Sequence, residues 1–132
     1  MYDAKYDVWL GNARGNSYSR GHQNLNADKS NQYWNFSWHE IGKYDIAAAI
    51  DYVLNATNKS ALHCVGHSQG TTTFFVLLSE RPEYNKKIIT FHAMAPVMYM
   101  RESKISNLFI DNLDNLEVRL QFKNVLSTHS LN

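Results

Sequence analysis

One pentapeptide constrains this chain more than any other feature. Gly66-His67-Ser68-Gln69-Gly70 stands between two apolar runs. The run before it, residues 61–65, is short and fits a buried strand that ends at Gly66. The run after it opens with Thr71, Thr72 and Thr73 and continues through Phe74 to Leu78. Its β-branched residues would allow a strand. Its place after the second glycine predicts a buried helix instead, closed by Pro82. A serine held between strand and helix by flanking glycines sits on a tight turn in strained backbone geometry, so its hydroxyl projects above a sheet edge. Residues two before and two after it crowd neighbouring backbone, a need that Gly66 and Gly70 meet.

The rest of the chain repeats the alternation. Residues 6–10 read as a first buried strand and run into the loop signal Gly11-Asn12-Ala13-Arg14-Gly15-Asn16. Residues 17–32 are polar, without periodicity, and read as a loop. Tyr33, Trp34, Phe36 and Trp38 form an aromatic cluster, read first as core packing and second as an acyl-chain pocket. Ser37-Trp38-His39-Glu40 fits a capping box and predicts a helix start. Ile46, Ala49, Ile50, Val53 and Leu54 then fall on one helical face, and the polar stretch 55–60 ends it. Residues 88–93 are a further apolar run, ended by Pro96. Strand, helix, strand, helix, strand at short spacing predicts an α/β fold with a parallel sheet and crossover helices on its faces. The continuous runs 62–65 and 88–91 read as strands buried on both faces. Residues 111–126 hold a weak amphipathic pattern through Leu113, Leu116 and Leu120.

A serine hydroxyl needs a histidine base and an acid that orients it. After Ser68 the candidates are His92, Asp111, Asp114 and His129. His92 lies in a predicted strand and precedes both aspartates, against the Ser, Asp, His order of this turn type. Asp111 or Asp114 with His129 has the right order but sits too close in sequence, because each intervening strand-helix-strand unit takes roughly 30 residues. On the nucleophile's own side, the helix beginning at Ser68 or just beyond turns its N-terminal amides toward a developing oxyanion, with the Gln69 N–H as one donor. His67 is expected to shape the turn by packing or hydrogen bonding, His63 to lie in the core, and His22 and His39 on the surface. Arg14 reads first as a structural ion pair with Asp45 and second as a substrate contact.

Composition sets limits. A formal charge of +1 gives no excess that would call for a nucleic-acid partner. The single cysteine, Cys64, forms no internal disulfide and reads as a small buried hydrophobe. No Cys/His/carboxylate cluster has metal-ligand spacing, so neither metal nor cofactor is expected. No apolar stretch approaches the roughly 20 residues of a membrane span. The first five residues carry no basic-then-apolar signal pattern; alone this start reads as cytosolic, and a truncated start has the same look. Three sequons, at Asn35, Asn55 and Asn58, lean toward a secretory parent protein and the glycoprotein class, with their use left open.

These residues resemble the acid lipases, the gastric and lysosomal lipases and their insect relatives. The resemblance rests on Tyr6-Asp7-Val8-Trp9-Leu10-Gly11-Asn12-Ala13-Arg14-Gly15-Asn16, on Trp34-Asn35-Phe36-Ser37-Trp38-His39-Glu40-Ile41-Gly42 and on Tyr44-Asp45. Its most specific block is Leu62-His63-Cys64-Val65-Gly66-His67-Ser68-Gln69-Gly70-Thr71-Thr72, and Ala93-Met94-Ala95-Pro96-Val97 follows. It implies a partial α/β-hydrolase domain over 1–132, with a family-like core over 6–97 and the start of a cap or a divergent tail over 98–132. It further implies a secreted or lysosomal serine hydrolase acting on acylglycerols or sterol esters, with Ser68 as nucleophile and Gln69 as oxyanion donor. The family's first strands, its His-Gly loop, the cap, the last strands and the catalytic Asp and His have no counterpart in this sequence, so the chain by itself is expected to be inactive. Ala47 replaces a proline usual in the family, which implies a more continuous helix. Two other readings compete: a catalytically dead remnant that binds lipid or a partner, and a different α/β-hydrolase such as a thioesterase or peptidase, against which the blocks around Trp9 and Trp38 argue. Oligomeric state is not legible.

Overall fold

The computed structural model describes residues 1–98. The sequence readings on Asp111, Asp114, His129 and the amphipathic stretch 111–126 lie outside the described residues. Within them a strand, β1 (Leu62–His67), leads through Ser68 into α3 (Gln69–Glu80). A 3-10 turn (Pro82–Lys87) then feeds β2 (Ile88–Met94). The two strands pair in parallel, with Cys64 opposite Phe91, Gly66 opposite Ala93 and His67 opposite Met94. Upstream, α1 (Trp38–Glu40), a π-helical stretch (Ile41–Ile46) and α2 (Ala47–Thr57) run on without leaving helical backbone. The chain therefore forms strands joined by a crossover helix, as the alternation of apolar runs predicts.

The local chemistry accounts for each boundary. The Ser37–Glu40 capping box closes reciprocally: the Ser37 hydroxyl accepts from the His39 amide at 3.1 Å, and Glu40 Oε2 accepts from the Ser37 amide at 2.7 Å. Ala47, buried where the resemblance leads one to look for proline, lets the helix pass straight into α2. Asn58 ends α2 in the left-handed conformation at φ 51°, which asparagine tolerates better than most residues. The π-helical stretch was not foreseen. Its Gly42 lies hard against α3, where an added Cβ would meet the Thr73 carbonyl oxygen at 2.4 Å and Val76 Cβ at 2.8 Å. Only glycine permits these helices to approach so closely.

The core joins α2, α3 and the 3-10 turn. Ala47, Ile50 and Leu54 meet Phe74, Leu77 and Tyr84, and Leu62, Cys64, Ile88 and Phe91 of the sheet pack against them. Phe74 and Phe91 stack at 3.9 Å between centroids. Tyr84 is buried and donates its hydroxyl to Asp51 Oδ2 at 2.7 Å, with Arg81 and Lys87 lying over its ring. The helices thus cover one face of the sheet.

Three expectations require correction. The strands are not buried on both faces: β1 alternates, with His63, Val65 and His67 exposed while Cys64 and Gly66 turn inward. His63 is accordingly not a core residue; its Nδ1 lies 2.7 Å from Thr90 Oγ1 on the open face. Residues 6–10 form no strand and remain exposed, Leu10 at 88%. Strand composition marks a segment fit for a sheet, but a strand exists only where a neighbour completes its ladder. Among the described residues the sheet consists of β1 and β2 alone. Trp9 instead places its ring edge-on to Tyr52 of α2 at 5.9 Å.

The polar stretch 17–32 is a loop through Ser30, as expected, its last two residues instead opening a 3-10 turn (Asn31–Trp34), and it is held by its own contacts. The Trp34 indole N–H donates to the Ala27 carbonyl at 2.8 Å, and the buried Tyr33 meets Trp34 and Phe36 edge-on. This is the packing role read first for the aromatic cluster.

Candidate active site

Ser68 occupies the single residue between β1 and α3, with φ 50° and ψ −116°. A non-glycine residue at such φ is strained, and it persists only where its surroundings over-determine it. Here they do. The Ser68 amide donates to the Met94 carbonyl at the end of β2 (3.0 Å), so the turn is tied to the neighbouring strand. The Ser68 carbonyl accepts from the Thr71 amide (2.9 Å) and from the Thr71 hydroxyl (2.6 Å). The residue itself is exposed, so its side chain stands at the open end of the sheet, beyond the C-terminal end of β1.

The two glycines of the pentapeptide divide the work unequally. A Cβ on Gly66 would sit 3.0 Å from the Gly70 carbonyl oxygen and 3.0 Å from Phe91 Cε2, so the close passage of strand and helix requires glycine there. A Cβ on Gly70 would meet nothing within 4 Å among the described residues. The expectation that both glycines answer crowding holds for Gly66 and not for Gly70, whose own backbone is what crowds Gly66. His67, expected to shape the turn by packing or hydrogen bonding, is exposed; it contributes as the last ladder residue of β1, opposite Met94.

Sequence reasoning missed the threonines. Thr71, Thr72 and Thr73 are all buried in the first turns of α3. The Thr71 hydroxyl accepts from the Val97 amide at 2.9 Å, the Thr72 hydroxyl donates to the Val97 carbonyl at 2.6 Å, and the Thr73 hydroxyl reaches the Gly70 carbonyl at 3.2 Å. Val97 is thereby strapped to the helix start. The chain reaches it through Ala95, a second strained residue at φ 47°, directly after the carbonyl that holds Ser68. Three polar side chains on a helix predicted to be buried were the available signal, since buried hydroxyls require partners.

The other candidates fall where their chemistry places them. The Arg14 guanidinium grips Asp45, with Nη2 and Nε donating to Oδ1 at 2.6 Å and 2.9 Å and Nε also reaching Oδ2 at 3.0 Å, and the Arg14 amide donates to Oδ2 at 2.9 Å. Those hydrogen bonds hold the guanidinium above its ordinary pKa. The ion pair fastens the loop after residue 10 to the π-helical stretch, the structural role read first for Arg14. Burial pushes the Cys64 thiol up to about 11, which keeps it protonated at neutral pH and suits a packing residue. His22 is exposed and its Nδ1 accepts from the Asn24 and Leu25 amides, while His39 is half-buried rather than on the surface. His92 shares Thr90 with His63, at 3.2 Å from the threonine oxygen. No helix among the described residues is long and apolar enough to cross a membrane.

The chain matches the alpha/beta hydrolase fold family over residues 2–124. It is 48% identical over 128 residues to Lipase 1 of Drosophila melanogaster, which covers 92% of this chain and 29% of that protein. It is 49% identical over 98 residues to the lysosomal acid lipase/cholesteryl ester hydrolase of Rattus norvegicus, covering 74% of this chain and 24% of the relative. Gastric triacylglycerol lipase of Homo sapiens is 47% identical over 104 residues, 79% of this chain and 26% of the human protein. The chain therefore spans about a quarter to a third of the length of these curated relatives. The chain therefore belongs to the α/β-hydrolase fold family and is similar within it to the acid lipases.

Proposed function

We propose that this chain is the nucleophile-bearing core of a serine ester hydrolase of the lipase type, acting on acylglycerols or sterol esters in a secreted or lysosomal setting. Residues 6–97 supply the family core and residues 98–132 begin a cap or a divergent tail. The observation that carries the reading is Ser68 at φ 50°, exposed between the end of β1 and the start of a twelve-residue helix. In this role the Ser68 hydroxyl attacks the ester carbonyl and a histidine takes its proton. The Gln69 N–H at the helix start donates to the oxygen that becomes negative. Collapse of the tetrahedral intermediate expels the alcohol, which takes the proton from that histidine, and water activated by the same histidine then releases the acid from the Ser68 ester and restores the hydroxyl. A lipid ester is the substrate class that the similarity to lipases supports.

The base belongs elsewhere. His63 and His92 are engaged with Thr90, and Asp111 or Asp114 with His129 is too compact a set to be separated by the strands this fold places between acid and base. The 132-residue chain on its own is thus expected to be inactive, and the activity is that of the full-length natural chain. The test is hydrolysis of p-nitrophenyl butyrate and of an emulsified triacylglycerol by both forms, each beside Ser68→Ala. The full-length chain should hydrolyse both esters and lose the activity with Ser68. A full-length chain indifferent to Ser68→Ala would remove the proposal, and Ser68-dependent turnover by the 132-residue chain would restore His129 as base.

A further inference from the structure

We propose that Thr71 is a positioning residue of the oxyanion donor: it fixes and polarises the Ser68–Gln69 peptide so that the Gln69 N–H is aimed at the reacting oxygen. This rests on the serine-hydrolase reading above. One peptide bond joins Ser68 to Gln69. It is planar and trans, so the Ser68 carbonyl and the Gln69 N–H belong to one rigid unit and point in opposite directions. Whatever holds the carbonyl therefore aims the N–H. As the first residue of α3, Gln69 has an amide with no partner inside the helix.

The carbonyl is held twice by one residue. Thr71 donates to it from its amide at 2.9 Å and from its hydroxyl at 2.6 Å. A back-bonding threonine is common in helices, and alone would mean little. The second bond to the hydroxyl gives it direction. The Val97 amide is only a donor, so Thr71 Oγ1 accepts from it at 2.9 Å and commits its own proton to Ser68. The hydroxyl is fully buried, so no water competes for either bond. A chain of donors thus runs from the Val97 N–H through the Thr71 hydroxyl to the Ser68 carbonyl, and across the peptide to the Gln69 N–H. Each hydrogen bond in such a chain polarises the next, and a carbonyl accepting two bonds leaves its peptide N–H a stronger donor. Thr72, one residue on, makes the contrast. Its hydroxyl donates to the Val97 carbonyl, so that proton is committed away from Ser68. The two hydroxyls share the strap to Val97, but of the two only the Thr71 hydroxyl bonds the reacting peptide.

The test uses the full-length natural chain with p-nitrophenyl butyrate as probe, and variants Thr71→Val, Thr71→Ser and Thr72→Val. Loss of a whole oxyanion donor costs about 10²–10³-fold in kcat, and misaiming one should cost less, about 10- to 100-fold. Thr71→Val should show that loss in kcat with KM within about twofold, because the donor acts on the transition state rather than on the bound ester. Thr71→Ser, which keeps the hydroxyl, should return to within about threefold of the parent. Thr72→Val should stay within about threefold as well. Should Thr71→Val fail to fold, Thr71→Ala removes the hydroxyl without placing a methyl against the Val97 amide, and is read in the same way. Unchanged kcat in Thr71→Val, or an equal fall in Thr72→Val, would overturn the proposal while leaving Ser68-dependent hydrolysis intact. Absence of Ser68-dependent hydrolysis in the parent would overturn the serine-hydrolase reading itself.

Discussion

Two apolar segments of this chain look alike in sequence and end differently. Residues 6–10 and the run 61–65, which forms most of β1, are both short, largely apolar and followed by glycine. β1 gains a ladder with β2, a helix across one face and a pinned turn at its end. Residues 6–10 gain an edge contact from Trp9 to Tyr52 and otherwise lie open. The difference shows where the information resides. The turn after β1 is specified within a few residues, by Gly66, by the start of α3 and by the threonines that bind the returning chain. The segment 6–10 carries only a fitness for sheet, which a neighbouring strand must convert into structure.

The comparison can be broken first by expressing residues 1–132 alone. With Tyr6, Val8, Trp9 and Leu10 exposed, and Val65, Ile89 and Met94 exposed on the sheet, the isolated chain should aggregate or bind the dye ANS strongly. A monomer with a sharp thermal transition and no dye binding would contradict this. In the full-length natural chain, Leu77→Ala should cost about 3–5 kcal/mol in urea unfolding, because Leu77 is wholly buried between α2 and the sheet. Trp9→Ala in the same background tests the other segment. A cost below about 1 kcal/mol is expected if residues 6–10 remain open there, and a cost near that of Leu77→Ala would show that they gain a partner.

A pair of glycines sharpens the contrast at smaller magnitude. Gly66→Ala forces a Cβ into 3.0 Å contacts with the Gly70 carbonyl and the Phe91 ring, and should destabilise by about 1–3 kcal/mol. Gly11→Ala meets open space and should be neutral within about 0.5 kcal/mol. The smallest expected effect is electrostatic. Hydrogen bonds from Lys87 and then Tyr84 hold the Asp51 carboxyl below the usual aspartate range. A carboxyl depressed in the folded state contributes stability that is present above its unfolded pKa and is lost as pH falls through the folded one, here below about pH 4. Asp51→Asn should flatten the acid limb of the stability curve slightly, since the pair is largely exposed and solvent-screened. An unchanged acid limb would show that the pair is not formed in solution.

Much of the candidate site was legible in the sequence because its determinants are local. The pentapeptide, the run before it and the helix after it lie within about twenty residues, and the strained φ at Ser68 follows from joining them. The capping box at Ser37 was legible for the same reason, whereas the Arg14–Asp45 pair, 31 residues apart, was legible because few residue types can form such an ion pair. What escaped was relational. No periodicity announces the π-helical stretch at Ile41–Ile46 or the close approach of α3 to its Gly42. The open face of β1 depends on what covers the sheet, so a continuous apolar run did not reveal that His63 would stand outside. Tyr84 lies in a polar stretch and becomes core only because Asp51 meets its hydroxyl. The threonine strap to Val97 spans more than twenty residues, and its sign in the sequence was three polar side chains on a helix otherwise fit for burial.

On the proposed function, the strained turn presents Ser68 as a nucleophile. That role is tested most directly by treating the full-length natural chain with a fluorophosphonate and mapping the adduct by peptide mass spectrometry. A single adduct on Ser68, absent from Ser68→Ala and formed at a rate that rises as a histidine base deprotonates, is expected. An adduct on another residue, or labelling that survives Ser68→Ala undiminished, would contradict that role.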